Sequence, residues 1–161
     1  MRPFLAALLG ICTALPATAQ LRQHDELTLA AANRLASAAL DACRRQGRDI
    51  VVTVLDRGGN AVVLQRADGV GPHNIEASRR KAYTALSTRS ATLVLARKSA
   101  ADPDARNLAG LPELLLLGGG VPLMAGDQPV GAIGVAGGGG GANDHACALA
   151  ALAAVPQLDQ P

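Results

Sequence analysis

The stretch that decides the fold is Pro72-His-Asn-Ile-Glu-Ala-Ser-Arg-Arg-Lys-Ala-Tyr-Thr-Ala85. Proline suits the first turn of a helix, and small residues then recur at helical spacing. At about 100° per residue the side chains separate into two faces: His73, Ala77, Arg80 and Thr84 on one, and Ile75, Ser78, Ala82, Ala85 and Leu86 on the other. The second face is small enough to pack closely on a sheet, so the first face is the one that can carry chemistry.

The amino-terminal residues have the pattern of a secretory signal peptide. Arg2 supplies a positive charge, an apolar run extends from Phe4 to Leu15, and Pro16-Ala-Thr-Ala19 supplies the small residues of a cleavage site. A membrane anchor, the alternative, needs about 20 apolar residues, and this run is shorter. We therefore expect a signal peptide at residues 1–19 and one exported domain, periplasmic or secreted, at residues 20–161.

Charge and composition narrow the choice of partner. The chain of 161 residues has a formal net charge of +2, and loss of Arg2 lowers it by one. Such a charge is too near neutral to indicate nucleic acid or an anionic membrane surface. Aromatic residues make up 1% of the chain, and Tyr83 is the only one in residues 20–161. We expect a core of aliphatic residues, with helices lying close to their neighbours, and no nucleic-acid partner.

Two cysteines, Cys43 and Cys147, lie in the expected exported domain. An oxidising compartment permits a disulfide between them. Both sit among apolar residues at helical spacing, where buried free thiols are the commoner outcome, and free thiols are what we expect. The chain has no Cys-x-x-Cys-His motif, so any haem would be held without thioether links.

Hydrophobic periodicity predicts the first half of an α/β domain. Thr28 can cap a helix over residues 29–43, which Gly47 closes. Two runs rich in β-branched residues, 50–55 and 61–66, flank a turn that contains glycine. This pattern is typical of an antiparallel hairpin.

The second half of the chain predicts more strands and helices. The helix that starts at Pro72 is expected to break near residues 87–90 and to continue over 91–98. A last helix is expected from His145 to about Val155, capped by Asn143 or Asp144. Three short strands are expected, at residues 114–117, 121–125 and 130–135. The first could also be helix, because a continuous apolar run does not reveal its period. The prediction is a single α/β domain with helices around an antiparallel sheet.

Five consecutive glycines, Gly137 to Gly141, separate the last expected strand from the last helix. Strand, glycines and helix superficially match a dinucleotide fingerprint, but that motif needs a following parallel strand with an acidic residue. The run is better interpreted as a flexible loop that lets a ligand or a neighbouring subunit approach the backbone.

Several residues could hold a metal or a haem: His73, Tyr83, Met124, His145 and Cys147. His73 is the strongest, because Arg80 lies about two turns, or about 10 Å, along the same face. A ligand and a cation at that spacing could hold a porphyrin by its iron and a propionate. The alternative is a solvated face on which Glu76 pairs with Arg79 or Arg80. Hydrolase motifs such as G-x-S-x-G and H-E-x-x-H are absent.

Six segments follow one another in a characteristic order: Thr53-Val-Leu-Asp-Arg-Gly-Gly-Asn60, Arg66-Ala-Asp-Gly69, Lys81-Ala-Tyr-Thr-Ala85, Gly118-Gly-Gly-Val-Pro-Leu123, Val130-Gly-Ala-Ile-Gly-Val135 and Asp144-x-x-Cys147. Together they resemble the GlcG/HbpS-like haem-binding protein family, from about Leu27 to Val155. The resemblance implies a profilin-like or PAS-like α/β domain, often a homo-oligomer, that binds haem or a related tetrapyrrole. It also implies fold-defining roles for Asp56, Gly58, Gly59, Lys81, Ala82, Thr84, Gly131 and Gly134.

The resemblance and the candidate residues lead to one leading hypothesis. We expect an exported protein that binds b-type haem non-covalently for storage, scavenging or sensing, with His73 as the axial ligand of the iron. The remaining expected contacts are Arg80, Lys81 and Arg66 for the propionates, and Tyr83 and Thr84 as the lining. The alternatives are an enzyme that degrades haem or converts a small molecule in the same pocket, and a sensory or interaction partner that binds no haem. The expected partners are haem or a related tetrapyrrole, further copies of the chain, and a sensor or transport protein.

Overall fold

The computed structural model describes residues 22–158, so the expected signal peptide lies outside the described residues. None of the helices in this range is long and apolar enough to cross a membrane. In chain order the elements are α1 (Leu29–Arg44), β1 (Val51–Asp56), β2 (Ala61–Arg66), α2 (His73–Thr88), α3 (Thr92–Ala101), a 3₁₀ turn (Arg106–Gly110), β3 (Gly120–Ala125), β4 (Gln128–Ala136) and α4 (Gly141–Leu152).

The four strands form one antiparallel sheet in the order β2-β1-β4-β3. The predicted hairpin is confirmed, with Val51 opposite Arg66 and Val54 opposite Val63. β4 then lies against the other side of β1, where Val51 is opposite Ala136. The central strands are therefore β1 and β4, and the predicted single α/β domain with an antiparallel sheet is confirmed.

Alternation along β1 divides the core into two layers, because successive side chains point to opposite faces of a sheet. Val52 and Val54 belong to the larger apolar cluster, which includes residues of α1 and α4. Thr53 and Leu55 face α2, where the Thr53 hydroxyl lies 2.7 Å from that of Ser78. The sheet is thus covered by α1 and α4 on one face and by α2 on the other.

α2 lies unusually close to the sheet because two strand glycines leave room for its backbone. A Cβ atom at Gly134 of β4 would overlap the carbonyl oxygen of Ser78, and one at Gly120 of β3 would overlap that of Lys81. Ala82 is fully buried on the same face of α2. The expectation of close helix packing in a core almost without aromatic residues is confirmed.

The prediction of a strand at residues 114–117 is wrong, and this stretch has no regular structure. Its backbone binds side chains of α2 instead: an Arg80 nitrogen donates to the Leu114 carbonyl, and the Leu115 amide donates to the Thr84 hydroxyl. Because these backbone groups form hydrogen bonds with side chains of α2, they do not pair with a neighbouring strand. The strands expected at 121–125 and 130–135 are confirmed as β3 and β4.

The last helix begins four residues earlier than expected. α4 starts at Gly141, and its N-cap residue is Gly140 rather than Asn143 or Asp144. Asp144 therefore lies inside the first turn, and its carboxylate is free to make a contact elsewhere.

Cys43 and Cys147 are joined by a disulfide that links α1 to α4. Their predicted burial is confirmed, but the expectation of two free thiols is wrong. α1 and α4 lie side by side on one face of the sheet, which brings the two Cα atoms within 5.5 Å. The periodicity of each helix alone does not reveal that neighbourhood.

Candidate functional site

α2 begins at the rim of an open recess of about 360 Å³. His73, its first residue, is exposed, and among the described residues no side chain or backbone group makes a hydrogen bond or ion pair with its ring. We call this site the His73 recess. Its other walls are Asn74, Ala77, Lys81, Leu117, Ala136, Asp144, Gly137 and Gly139 to Gly141.

A buried ion pair forms the inner wall of the His73 recess. Lys81 is 1% exposed, and its Nζ lies 2.6 Å from Oδ2 of Asp144 and 3.0 Å from the Val135 carbonyl oxygen. The other carboxylate oxygen of Asp144 accepts a hydrogen bond of 2.7 Å from the Gly138 amide. The pair of Lys81 and Asp144, called the buried pair below, therefore ties α2 and β4 to the glycine turn.

Lys81, which was expected to contact a propionate, already has protein partners in this structure. The ammonium group is enclosed, and two of its three N–H bonds are already directed to protein oxygens. Lysine is almost never this deeply buried unless a partner of opposite charge accompanies it, and sequence reasoning missed the carboxylate of Asp144. Both Lys81 and Asp144 fall in segments that carry the family resemblance, which was the available signal.

Arg80 and Thr84 brace the segment before β3. One Arg80 nitrogen donates to the carbonyl oxygens of Pro112 and Leu114, each at 2.7 Å. Thr84 accepts from the Leu115 amide at 2.8 Å and is fully buried. In this structure Arg80 and Thr84 position the segment that ends at Leu117 in the His73 recess, and the lining role of Thr84 stays a prediction.

Tyr83 lies away from His73. It shares a separate recess of about 370 Å³ with Arg80 and Arg79, and its ring passes near the hairpin turn at Gly59. In that recess Glu76 accepts two hydrogen bonds from Arg79, at 2.6 and 2.8 Å. The bond from Arg79 lowers the pKa of Glu76, and the bond to Glu76 raises that of Arg79. The solvated ion pair that the sequence left open as an alternative is thus formed by Arg79.

Arg66 lies at the end of the edge strand β2. It is opposite Val51, which is also opposite Ala136 in the floor of the His73 recess. Two strand spacings, about 10 Å, therefore separate Arg66 from Ala136. Residues directly opposite one another share a face of the sheet, so Arg66 lies on the α2 face. It forms no salt bridge with another residue of the described range.

The other metal candidates are dispersed. Cys147 is in the disulfide, Met124 is buried in β3, and His145 lies in α4, where burial and then Arg97 lower its pKa. Within residues 22–158 there is no group of three or more His, Cys, Asp or Glu residues that could hold a metal ion. His73 is therefore the candidate ligand that combines exposure, an unoccupied ring and an adjoining recess.

The fold and the site define a class: a single-domain α/β protein whose antiparallel sheet lies between helices, with a histidine at the rim of a recess floored by glycine. A family model described as "Haem degrading protein HbpS-like" matches residues 27–153. The chain therefore belongs to the HbpS-like family, and the resemblance inferred from its motifs is confirmed.

Solved structures and a curated protein agree with this assignment. A double mutant of Streptomyces reticuli HbpS is 40% identical, with a TM-score of 0.79, and the match covers 89% of this chain and 98% of that one. An uncharacterized 15.0 kDa protein of Citrobacter freundii, from the dhaT-dhaS intergenic region, is 33% identical over 73% of this chain and 84% of its own length. PduOC, solved as a heme complex, shares the fold at 23% identity, with a TM-score of 0.78 over 84% of this chain and 99% of that chain.

Proposed function

We propose that this protein binds haem, or a related tetrapyrrole, without a covalent link, and that His73 ligates the iron. The observation that carries the proposal is an exposed imidazole with no partner among the described residues, at the rim of a recess. Neutral imidazole is a common axial ligand of haem iron. Membership of the HbpS-like family and the solved heme complex of PduOC support this choice of ligand.

The floor of the recess suits a flat ligand. Gly137 and Gly139 to Gly141 have no side chains, so a macrocycle can approach their backbone closely, while Ala77 and Leu117 supply apolar contact. At about 360 Å³ the recess lies near the lower end of the range for ligand sites, about 300–1,000 Å³. Part of the macrocycle would therefore extend beyond it.

Arg66 is the cation that we assign to a propionate. It is exposed, lies on the same face of the sheet as α2, and has no carboxylate partner in the described range. Lys81 is enclosed and Arg80 binds two backbone carbonyls, so their role here is to shape the recess. Tyr83 lies in the other recess and would not touch the same ligand.

Self-association would cover the part of the ligand that the recess leaves open. Leu117, in the recess wall, and Leu111, in the same segment, are each 47% exposed. Exposed apolar residues at a ligand site are typical of surfaces that are covered in an assembly. We therefore propose a homo-oligomer whose interface borders the His73 recess, which light scattering on the haem-loaded protein would detect as a mass above that of one chain.

Export is part of the proposal. The amino-terminal pattern of residues 1–19 supports a periplasmic or secreted location, and so does the disulfide between Cys43 and Cys147, because disulfides persist mainly in oxidising compartments. Mass spectrometry of the periplasmic or secreted protein should find Gln20 at its amino terminus. Recovery only in the cytoplasm, with residues 1–19 intact, would contradict export.

Hemin titration of the purified protein tests the binding site. The wild type should give a saturable Soret band, and His73→Ala should lose the spectrum of the histidine ligand and at least about tenfold in affinity. His24→Ala is the matched control, because His24 is also exposed and, within the described range, its ring forms a hydrogen bond of 3.2 Å with Gln128. Equal spectra and affinities for wild type and His73→Ala would remove His73 from the role.

Haem degradation is the second candidate function, and the description of the matching family favours it. The same hemin-loaded protein, given a reductant and oxygen, separates the two functions. An enzyme would lose the Soret band with release of iron and formation of a bile pigment, at a rate above that of free hemin. A binding protein would keep the band.

A further inference from the structure

A further recess lies at the carboxyl end of α2. Its volume is about 360 Å³, and it is enclosed by the turn between α2 and α3, by β3 and by α4. Val94, Val121 and Leu149 give it apolar walls, and Arg89 and His145 are its ionisable residues. No acidic residue lines it, and it shares no residue with the His73 recess. We call it the Arg89 recess.

Arg89 has a costly backbone conformation. Its φ of 50° is the only positive φ of a non-glycine residue among residues 22–158. Arg89 caps the carboxyl end of α2 in the left-handed conformation, a position usually filled by glycine. Strained residues that persist are concentrated at ligand sites and switches. The arginine forms no salt bridge with the described residues, and it borders both this recess and a neighbouring one that contains His24 and Asp127.

His145 supplies a neutral hydrogen-bond donor. Its Nδ1 is buried and has no partner, and burial, followed by the nearby charge of Arg97, lowers the pKa of the ring. A neutral imidazole carries one proton, and a buried N–H without an acceptor is rarer than a buried acceptor without a donor. We therefore assign the proton to Nε2, the ring nitrogen that is not among the buried atoms without a partner.

From this arrangement we propose that the Arg89 recess binds a small organic carboxylate with an apolar body. The carboxylate would accept paired hydrogen bonds from Arg89, the geometry that a guanidinium favours, and a further bond from Nε2 of His145. The apolar body would lie against Val94, Val121 and Leu149. An organic carboxylate is favoured over an inorganic anion because the recess has apolar walls. It is favoured over an organic cation because no acidic residue lines the recess.

Titration with benzoate, followed by NMR of the histidine ring protons, tests the proposal on the haem-free protein. The chain has three histidines. His73 lines neither of the two recesses that Arg89 borders, so its signal serves as the internal reference for that of His145. Benzoate should shift the His145 signal saturably and leave the His73 signal in place. Benzamide, which has the same shape without the charge, should bind at least about tenfold more weakly.

Substitutions locate the contact. Arg89→Gly removes the guanidinium and suits the left-handed backbone, so it should fold normally and bind benzoate at least about tenfold more weakly. Arg45→Gly, at the carboxyl end of α1, is the matched control and should bind as the wild type does. His145→Gln, which keeps a donor near the position of Nε2, should retain more affinity than His145→Leu.

Three results would overturn the proposal: no saturable shift of the His145 signal, equal binding of benzoate and benzamide, or unchanged affinity in Arg89→Gly. Because the readout is His145 rather than a haem spectrum, failure here and failure of haem binding at His73 are separate outcomes.

Discussion

α2 contributes to two ion pairs of equal length, one exposed to solvent and one buried. The buried pair has Lys81 and Asp144 with side chains 1% and 4% exposed, whereas the pair of Arg79 and Glu76 is 46% and 57% exposed; both have an N···O distance of 2.6 Å. Water screens the exposed pair, and its two long side chains lose entropy when they are fixed. Removal of one partner from the buried pair leaves a charge that water cannot reach.

The two ion pairs of α2 have different structural roles. The exposed pair lies within one helix, three residues apart in sequence, and neither side chain makes another hydrogen bond among residues 22–158. The buried pair joins residues 63 positions apart and also binds the Gly138 amide. Only the buried pair shapes the His73 recess, so interference with it should change both stability and the recess.

The largest effect is expected from Asp144→Asn. This variant keeps an oxygen for the Gly138 amide but leaves the Lys81 ammonium buried without a counter-charge. It should lower the free energy of unfolding by about 3–5 kcal/mol, measured by urea denaturation with the disulfide intact. A loss below about 1 kcal/mol would contradict the assigned burial.

The double variant Lys81→Met with Asp144→Asn tests whether the two residues of the buried pair act together. With neither charge present, the buried amide keeps its contact with the glycine turn and methionine fills the space of the lysine stem. The double variant should be more stable than Asp144→Asn alone, with a coupling energy of about 1–3 kcal/mol. Simple addition of the two single losses would show that the residues do not act as a pair.

The smallest effect is expected from Glu76→Gln in the exposed pair. The free energy of unfolding should change by less than about 1 kcal/mol, and the difference should vanish at about 1 M salt. Because Arg79 lowers the pKa of Glu76 below its ordinary 4.5, the contribution is present above that value and is lost as the pH falls through the folded-state pKa. Denaturation curves of both proteins across that range, at low salt, would show the difference; a salt-resistant difference would place the pair in a drier environment than the structure gives.

Much of the fold could be predicted because its signals are local. Pro72 and the small residues after it indicate α2, and the two β-branched runs around a glycine turn indicate the hairpin. The prediction of a strand at residues 114–117 was wrong because apolar side chains do not reveal which groups the backbone will bind. The partner of that backbone, Arg80, lies more than 30 residues away in sequence. The disulfide was missed for the same reason, since Cys43 and Cys147 are 104 positions apart.

The position of the exposed His73 could be predicted from the sequence, whereas the pairing of Lys81 with Asp144 could not. His73 was identified from its place at the start of α2, which sequence periodicity describes. His73, Arg80 and Thr84 do share one face of α2, but they have different neighbours. Arg80 and Thr84 bind the stretch before β3, whereas His73 lies beside the glycine turn. A helical wheel contains no information about those neighbours.

The central claim is that the His73 imidazole ligates the haem iron, and imidazole rescue tests it most directly. His73→Gly, loaded with hemin, should lose the spectrum of the wild-type ligand, and added free imidazole should restore it by entering the space left by the ring. His24→Gly, the control, should keep the wild-type spectrum without imidazole. A His73→Gly spectrum identical to that of the wild type before imidazole is added would contradict the claim.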